Sequence, residues 1–181
     1  MAENKILSEV GVGEVFKVAG VEFIKFYDDN GNTAAVAKNI LFDSVFGDNN
    51  NFAKSDVLKK LKKEVLAKIV KEIGAENVME HEVDLTSVDG SNVWGKMKTK
   101  ISLPTLAFYR KYEDIFDKYP LRDLWWLATP DTTTVPYESE RWGSCIGWYG
   151  HFEIEDCDLC HDVRPLVVFS SSLSVVYSIC Y

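Results

Sequence analysis

Three of the chain's four cysteines and two of its three histidines crowd into one stretch, RWGSCIGWYGHFEIEDCDLCHDVRP, at positions 141–165. Thiols and imidazoles this close in sequence raise three chemistries: a metal centre, a disulfide and a nucleophile. For zinc, Cys157, Cys160 and His161 form one C-x2-C run into histidine, with Cys145 and His151 upstream. Structural zinc sites use two such pairs across a defined loop, and only one is present. Glu153, Glu155, Asp156, Asp158 and Asp162 would offer oxygen ligands. A hard-cation loop, however, sets carboxylates and a glycine at fixed positions that EIEDCDLCHD lacks. A Cys157–Cys160 bridge is sterically allowed, but a single C-x-x-C outside a βαβ context is a weak redox signal. Cys180 reads as an unpaired thiol. Cys145 with His151 or His161 would make a nucleophile and base, yet nothing fixes a third orienting group or an oxyanion hole. No G-x-S-x-G, phosphate-cradling glycine loop or H-E-x-x-H occurs. The expectation is a protein that is not an enzyme and carries no cofactor or metal. A zinc-dependent protein or enzyme built on Cys145, Cys157, Cys160 and His161 is the alternative.

The same stretch reads better as a recognition surface. Tyr137, Arg141, Trp142, Trp148, Tyr149, His151 and Phe152 alternate with serine, glycine and acidic residues. Aromatics and arginine on irregular segments give large contact area at small entropic cost, and small polar residues add adaptable hydrogen bonds. The expected ligand site spans about 137–162. It comprises Tyr137, Ser139, Arg141, Trp142, Ser144, Trp148, Tyr149, His151, Glu153, Glu155, Asp156, Asp158, Cys160 and His161.

Such a surface needs a rigid body beneath it. Val15, Val18, Val21, Phe23 and Phe26 mark a β-rich opening, with a hairpin-type turn at Asp29-Asn30-Gly31-Asn32. DSVFGDNNNFAK, at 43–54, reads as a polar loop. Ser55 is placed to cap a helix whose Leu58, Leu61, Val65, Leu66, Ile69, Val70 and Ile73 recur at i+3 and i+4, with Gly74 beyond its end. Lys59, Lys60, Lys63 and Lys71 make its solvated face. Residues 78–105 read as irregular structure with short strands and a turn at Asp89-Gly90; His81 is given no role. PTLAFYRKYEDIFDKY predicts a second helix that Pro120 ends. Trp125 and Trp126 belong to a buried strand, and Val163 to Phe169 to another. Strands at both ends and helices between them predict one α+β domain, residues 1–181, with two main helices, short antiparallel strands, and its terminal strands paired.

Across its 181 residues the chain is 46% hydrophobic and 13% aromatic, with net charge −8. That composition supports a folded core and disfavours binding to phosphate backbones, so no nucleic-acid partner is expected. No apolar run approaches the ~20 residues of a membrane-spanning helix, so no membrane insertion is expected. MAENKILSEVGVGEVF lacks the basic segment and apolar core of a secretory signal, which predicts cytoplasmic synthesis. Association with a virion is compatible with this, because particles assemble inside the host.

Taken together, ISLPTLAFYR, LWWLATP, Gly150 and the closing VRPLVVFSSSLSVV resemble the variable proteins of diversity-generating retroelements, in the form found in gut bacteria and their phages. GEVFKVAGVEFIKF, FGDNNNFAKSDVLKKL and EVDLTSVDG extend the resemblance over essentially the whole chain. Asp162 departs from the pattern, standing where glycine usually precedes Val-Arg-Pro. The resemblance implies a C-type-lectin-like fold of the formylglycine-generating-enzyme branch, used as a scaffold and not as a catalyst. It implies a hypervariable surface, rewritten at adenines by reverse transcription, that recognises a protein or glycan on a cell or phage. Cysteines and histidines would then fill 144–162 by codon chance, without ligand geometry. Trp148, Glu153 and Glu155 are not products of an AAC codon, so such positions are either fixed or changed from other codons. Phage receptor-binding versions commonly trimerise, so a homo-oligomer is compatible. A phage-encoded inhibitor of a host protein would use the same surface. Arg164, beside Pro165, is expected to anchor the frame through hydrogen bonds.

Overall fold

The computed structural model describes residues 2–133 and 141–178. Tyr137, Ser139 and Cys180 lie outside them. The chain opens with β1 (Ala2–Ile6), β2 (Val15–Val18), β3 (Val21–Asp29), β4 (Asn32–Ala37) and β5 (Phe42–Val45). An 18-residue helix at 56–73 follows. Then come β6 (Val78–Met79), β7 (His81–Asp84), β8 (Lys96–Thr99) and β9 (Ile101–Ser102). Two short helices, Leu106–Lys111 and Glu113–Phe116, lead into β10 (Trp125–Pro130). The remainder is β11 (Trp142–Ile146), β12 (Phe152–Asp156), β13 (Cys160–Val163), β14 (Leu166–Ser170) and β15 (Ser174–Ser178).

This is a mixed α+β fold of mostly antiparallel strands with a curled sheet. The larger sheet runs β1-β15-β2-β3-β4-β14-β6, with β9 also on β14. Its first pair joins the two ends of the chain, Ala2 opposite Ser178 and Ile6 opposite Ser174. A second sheet runs β12-β11-β10-β13-β5, and β7 pairs with β8 alone. Within the second sheet only β10 and β13 are parallel, with Trp125 opposite Asp162.

Period-2 alternation sends side chains of one strand into two different cores. Phe23, Ala35, Ala37, Trp126 and Cys145 join the cluster that buries Val57, Leu58, Leu61, Val65 and Ile69 of the long helix. Their neighbours Ile24, Phe26, Ala34, Val36, Trp125 and Ile146 join the one containing Leu106, Tyr109, Ile115 and Phe116 of the short helices. Both faces are therefore covered, and alternation in these strands does not mark an exposed face.

The long helix begins and ends where its residues predict. Ser55 Oγ accepts from Leu58 N at 3.1 Å, and Gly74 leaves at φ 85°. Its middle turn, Leu61–Leu66, is π-helical. Lys59, Lys63 and Lys71 are exposed as expected. Lys60 turns back instead: its Nζ donates to Asp43 O at 3.0 Å and sits 4.3 Å over the Phe42 ring. The turn at Asn30 and Gly31 also forms, both residues having positive φ, as the primed hairpin turns require.

Three expectations need correction. The polar stretch at 43–54 is not all loop, because Phe42–Val45 pairs antiparallel with Cys160–Val163. The second helix is broken at Tyr112, whose φ of −123° interrupts it. The run from Val163 to Phe169 is two strands in different sheets, divided at Arg164-Pro165. Proline cannot donate to a ladder, and here its carbonyl accepts from Ala37 N at 2.9 Å.

His81, on β7, is partly buried, with Nε2 2.8 Å from Ser102 Oγ. Burial pushes its imidazole down to about 4. Since the unfolded side chain titrates near ~6.5, acid protonates the unfolded chain first. Stability present above that value is lost progressively as pH falls toward the folded value. The difference amounts to at most about 2.5 kcal/mol at about pH 4.5. Urea unfolding of His81→Gln should lack this component between about pH 7 and 4.5. A loss equal to that of the parent would place the acid sensitivity elsewhere.

Candidate functional site

The candidate surface is the β11–β12 hairpin and the turn that runs into β13. Trp142 pairs with Asp156, Ser144 with Ile154 and Ile146 with Phe152, which places β12 at the outer edge of its sheet. Residues 147–151 close the hairpin through Gly147 N donating to His151 O at 2.8 Å. Tyr149 (φ 58°, ψ 26°) and Gly150 (φ 75°) are both left-handed. Glycine takes that conformation without strain. A bulky tyrosine does so at a cost of about 1–2 kcal/mol, and such outliers gather at functional segments. In this turn the Trp148 and Tyr149 rings stack in parallel, 4.9 Å apart and 9° from coplanar. They are 53% and 78% exposed, so the pair is a bare aromatic plate. His151 and Glu153 beside it are also exposed.

The far end of the hairpin is ionic. Arg141 Nη2 donates to Asp156 Oδ2 at 3.0 Å and to Asp158 Oδ2 at 3.1 Å, with Trp142 exposed next to it. Both pairs are open to water, so each contributes at most about 1 kcal/mol and leaves Arg141 free to exchange partners. Four strand steps separate Phe152 from Asp156, so the plate and this cluster stand about 14 Å apart. The surface is a strip along an edge strand and not a compact pit.

Not every expected residue lies on it. Ser144 is fully buried, which corrects its place among ligand contacts: it lies in β11, flanked by β10 and β12, with no exposed side chain to offer. His161 is largely enclosed. Its ring packs edge-on against Trp126 at 4.8 Å, and Nε2 lies 3.8 Å from a half-buried Glu155. It therefore belongs to the frame more than to the surface. Cys160 is exposed and donates to Asp43 Oδ2 at 3.1 Å. That hydrogen bond raises its thiol above the ordinary range and lowers the Asp43 carboxyl.

Among the described residues the three thiols are divided between core and surface. Cys145 and Cys157 are buried and free, whereas Cys160 is exposed on β13. Burial pushes the Cys157 thiol up to about 12 and raises Cys145 further, so neither forms a thiolate near neutrality. No group of three or more histidine, cysteine or acidic side chains among the described residues could hold a metal ion.

The structure adds contributors absent from the expected set. Ile154 and Leu159 are 42% and 47% exposed, apolar patches between the acidic groups. Their signal was an aliphatic residue next to a carboxylate, which local pattern leaves ambiguous. Among the described residues no helix is long and apolar enough to cross a membrane. The chain matched no protein-family model, no curated protein and no solved structure.

Proposed function

We propose that this protein is a non-enzymatic ligand-binding protein whose hairpin strip at 141–160 grips a protein or glycan on a cell or particle, and that a retroelement diversifies the strip. The observation carrying this reading is the stacked, solvent-facing Trp148–Tyr149 pair on a strained turn of an otherwise well-packed sheet. Large exposed aromatics anchor partners, because their desolvation releases much area for few frozen rotors. Arg141 and the exposed carboxylates of Glu153 and Asp158 would supply orientation and selectivity. A lectin-type scaffold would suit this use: exposed side chains of the strip, such as His151 and Asp158, can change without touching the two cores. Buried thiols with raised pKa values weigh against the nucleophile alternative, and the lack of any group of three or more potential ligands among the described residues weighs against zinc.

The test is the gene's surroundings. A reverse transcriptase gene should lie nearby, with a template repeat matching codons 137–162 except at adenines. Differences between sister copies should fall on exposed positions such as Tyr149, His151 and Asp158, and should spare Gly143 and Ile146. An isolated gene, or changes spread evenly over buried and exposed positions, would end the retroelement reading. Direct binding is tested by Trp148→Ala and Tyr149→Ala. Each is expected to weaken attachment to whole target cells by at least about tenfold, the effect of losing an aromatic anchor.

A further inference from the structure

Behind the aromatic plate lies a cavity of about 360 Å³, walled in part by Tyr109, Phe116, Trp125, Ile146 and Tyr149. Arg164 also lines it, and is 1% exposed. Its Nε donates to Ala37 O at 2.6 Å, the anchoring role expected of it. Its guanidinium carbon stands 5.1 Å from the centre of the Phe116 ring and 5.6 Å from that of Trp125. Its Nη2, however, is buried with no hydrogen-bond partner among the described residues. A buried guanidinium ordinarily meets a carboxylate, because an unpaired charge costs far more than an unpaired neutral group. The cation–π contacts offset only part of that cost.

One absent side chain keeps part of the cavity open. Gly150 lines it, and a Cβ there would come within 2.5 Å of Tyr109 Oη on the same wall. Aromatic and aliphatic walls that also carry tyrosines, with one buried cation, describe a site for a molecule with an apolar body and one anionic end. The exposed Asp117 carboxylate in the lining opposes a second negative charge.

We infer that this cavity binds a small organic monocarboxylate, its carboxylate against the Arg164 guanidinium and its apolar or aromatic body against Phe116, Trp125 and Tyr149. The site is distinct from the outer strip, with Tyr149 as their shared wall, and it stands whether or not the strip takes a macromolecular partner. It would make the chain a carrier or sensor of such acids, with occupancy felt directly beneath the aromatic plate.

The test titrates the intact protein with 4-phenylbutyrate, with its neutral amide and with inorganic phosphate, following tryptophan fluorescence and the arginine Nε–H resonances. The carboxylate should bind at least about tenfold more tightly than the amide, as a charge-assisted hydrogen bond requires, and should shift the Arg164 resonance. Phosphate should bind more weakly than the carboxylate. Arg164→Gln should abolish the preference for carboxylate over amide. Should that variant not fold, Asp117→Asn at an exposed position decides, with an expected gain of about twofold for the carboxylate alone. Equal affinity for acid and amide, phosphate binding as tightly as the acid, no saturable binding, or an unchanged Asp117→Asn would each overturn the inference.

Discussion

Trp126→Ala is expected to destabilise the protein by about 3–5 kcal/mol, whereas Trp148→Ala, in the same sheet system, should change stability by no more than ~0.5 kcal/mol. Trp126 is fully buried, and its Nε1 donates to Ser44 O at 2.9 Å. Phe46 packs edge-on against it at 5.2 Å and His161 at 4.8 Å. The backbone is fitted to this ring: a Cβ on Gly143 would stand 2.9 Å from it. Truncation therefore removes a large apolar area, leaves a cavity between β5, β10 and β13, and orphans a carbonyl. In a chain of this size the loss should lower Tm by on the order of 10 °C. Trp148 stacks on the Tyr149 ring and is 53% exposed. Thermal unfolding of the two variants is the measurement. Comparable losses would mean that the outer plate is part of the frame, and the proposed separation of frame from recognition surface would fail.

That separation is also where reading the residues in order meets its limit. Local signals were sufficient for the helix at 56–73, since Ser55, the i+3/i+4 repeat and Gly74 all act within a few turns. They were sufficient for the turn at Asn30-Gly31 and for the burial of Trp125 and Trp126. What they miss depends on partners far along the chain. Phe42–Val45 sits in polar surroundings and becomes a strand because Cys160–Val163 arrives beside it. Ser144 is small and polar, yet it is fully buried in β11, a strand flanked by β10 and β12. His161, grouped with the cysteines by spacing, is claimed by the Trp126 ring. In each case the deciding neighbour lies far along the chain, where a local pattern does not report it. The cavity at Arg164 was hidden for the same reason. A single arginine before proline indicates an anchor, and only the arrangement of Phe116, Trp125 and Tyr149 shows that one of its nitrogens is left over.

A second buried cation carries the other large prediction. Lys25 alternates with apolar residues in β3 and is 1% exposed. Its Nζ meets Asp28 Oδ2 at 2.6 Å and donates to Leu7 O at 2.9 Å. Asp28 also accepts from Thr33 Oγ1, so one carboxylate serves both the lysine and the β3–β4 turn region. Removing a single member of such a pair leaves the other charge uncompensated in the interior. Asp28→Ala should accordingly cost about 3 kcal/mol, the low end for a buried pair, because solvent reaches the 41%-exposed aspartate side chain. Lys25→Met removes the charge while keeping the volume, and leaves only the Leu7 carbonyl and a partly exposed carboxylate, so its cost should be smaller, about 1–2 kcal/mol. The double variant Lys25→Met/Asp28→Ala should recover to within about 1 kcal/mol of Lys25→Met alone, because without the ammonium the carboxylate has little left to compensate. Urea unfolding of the four proteins reads this cycle. Additive losses would show that the two charges act independently, and that Lys25 owes its burial to packing of its methylene chain and not to its partner.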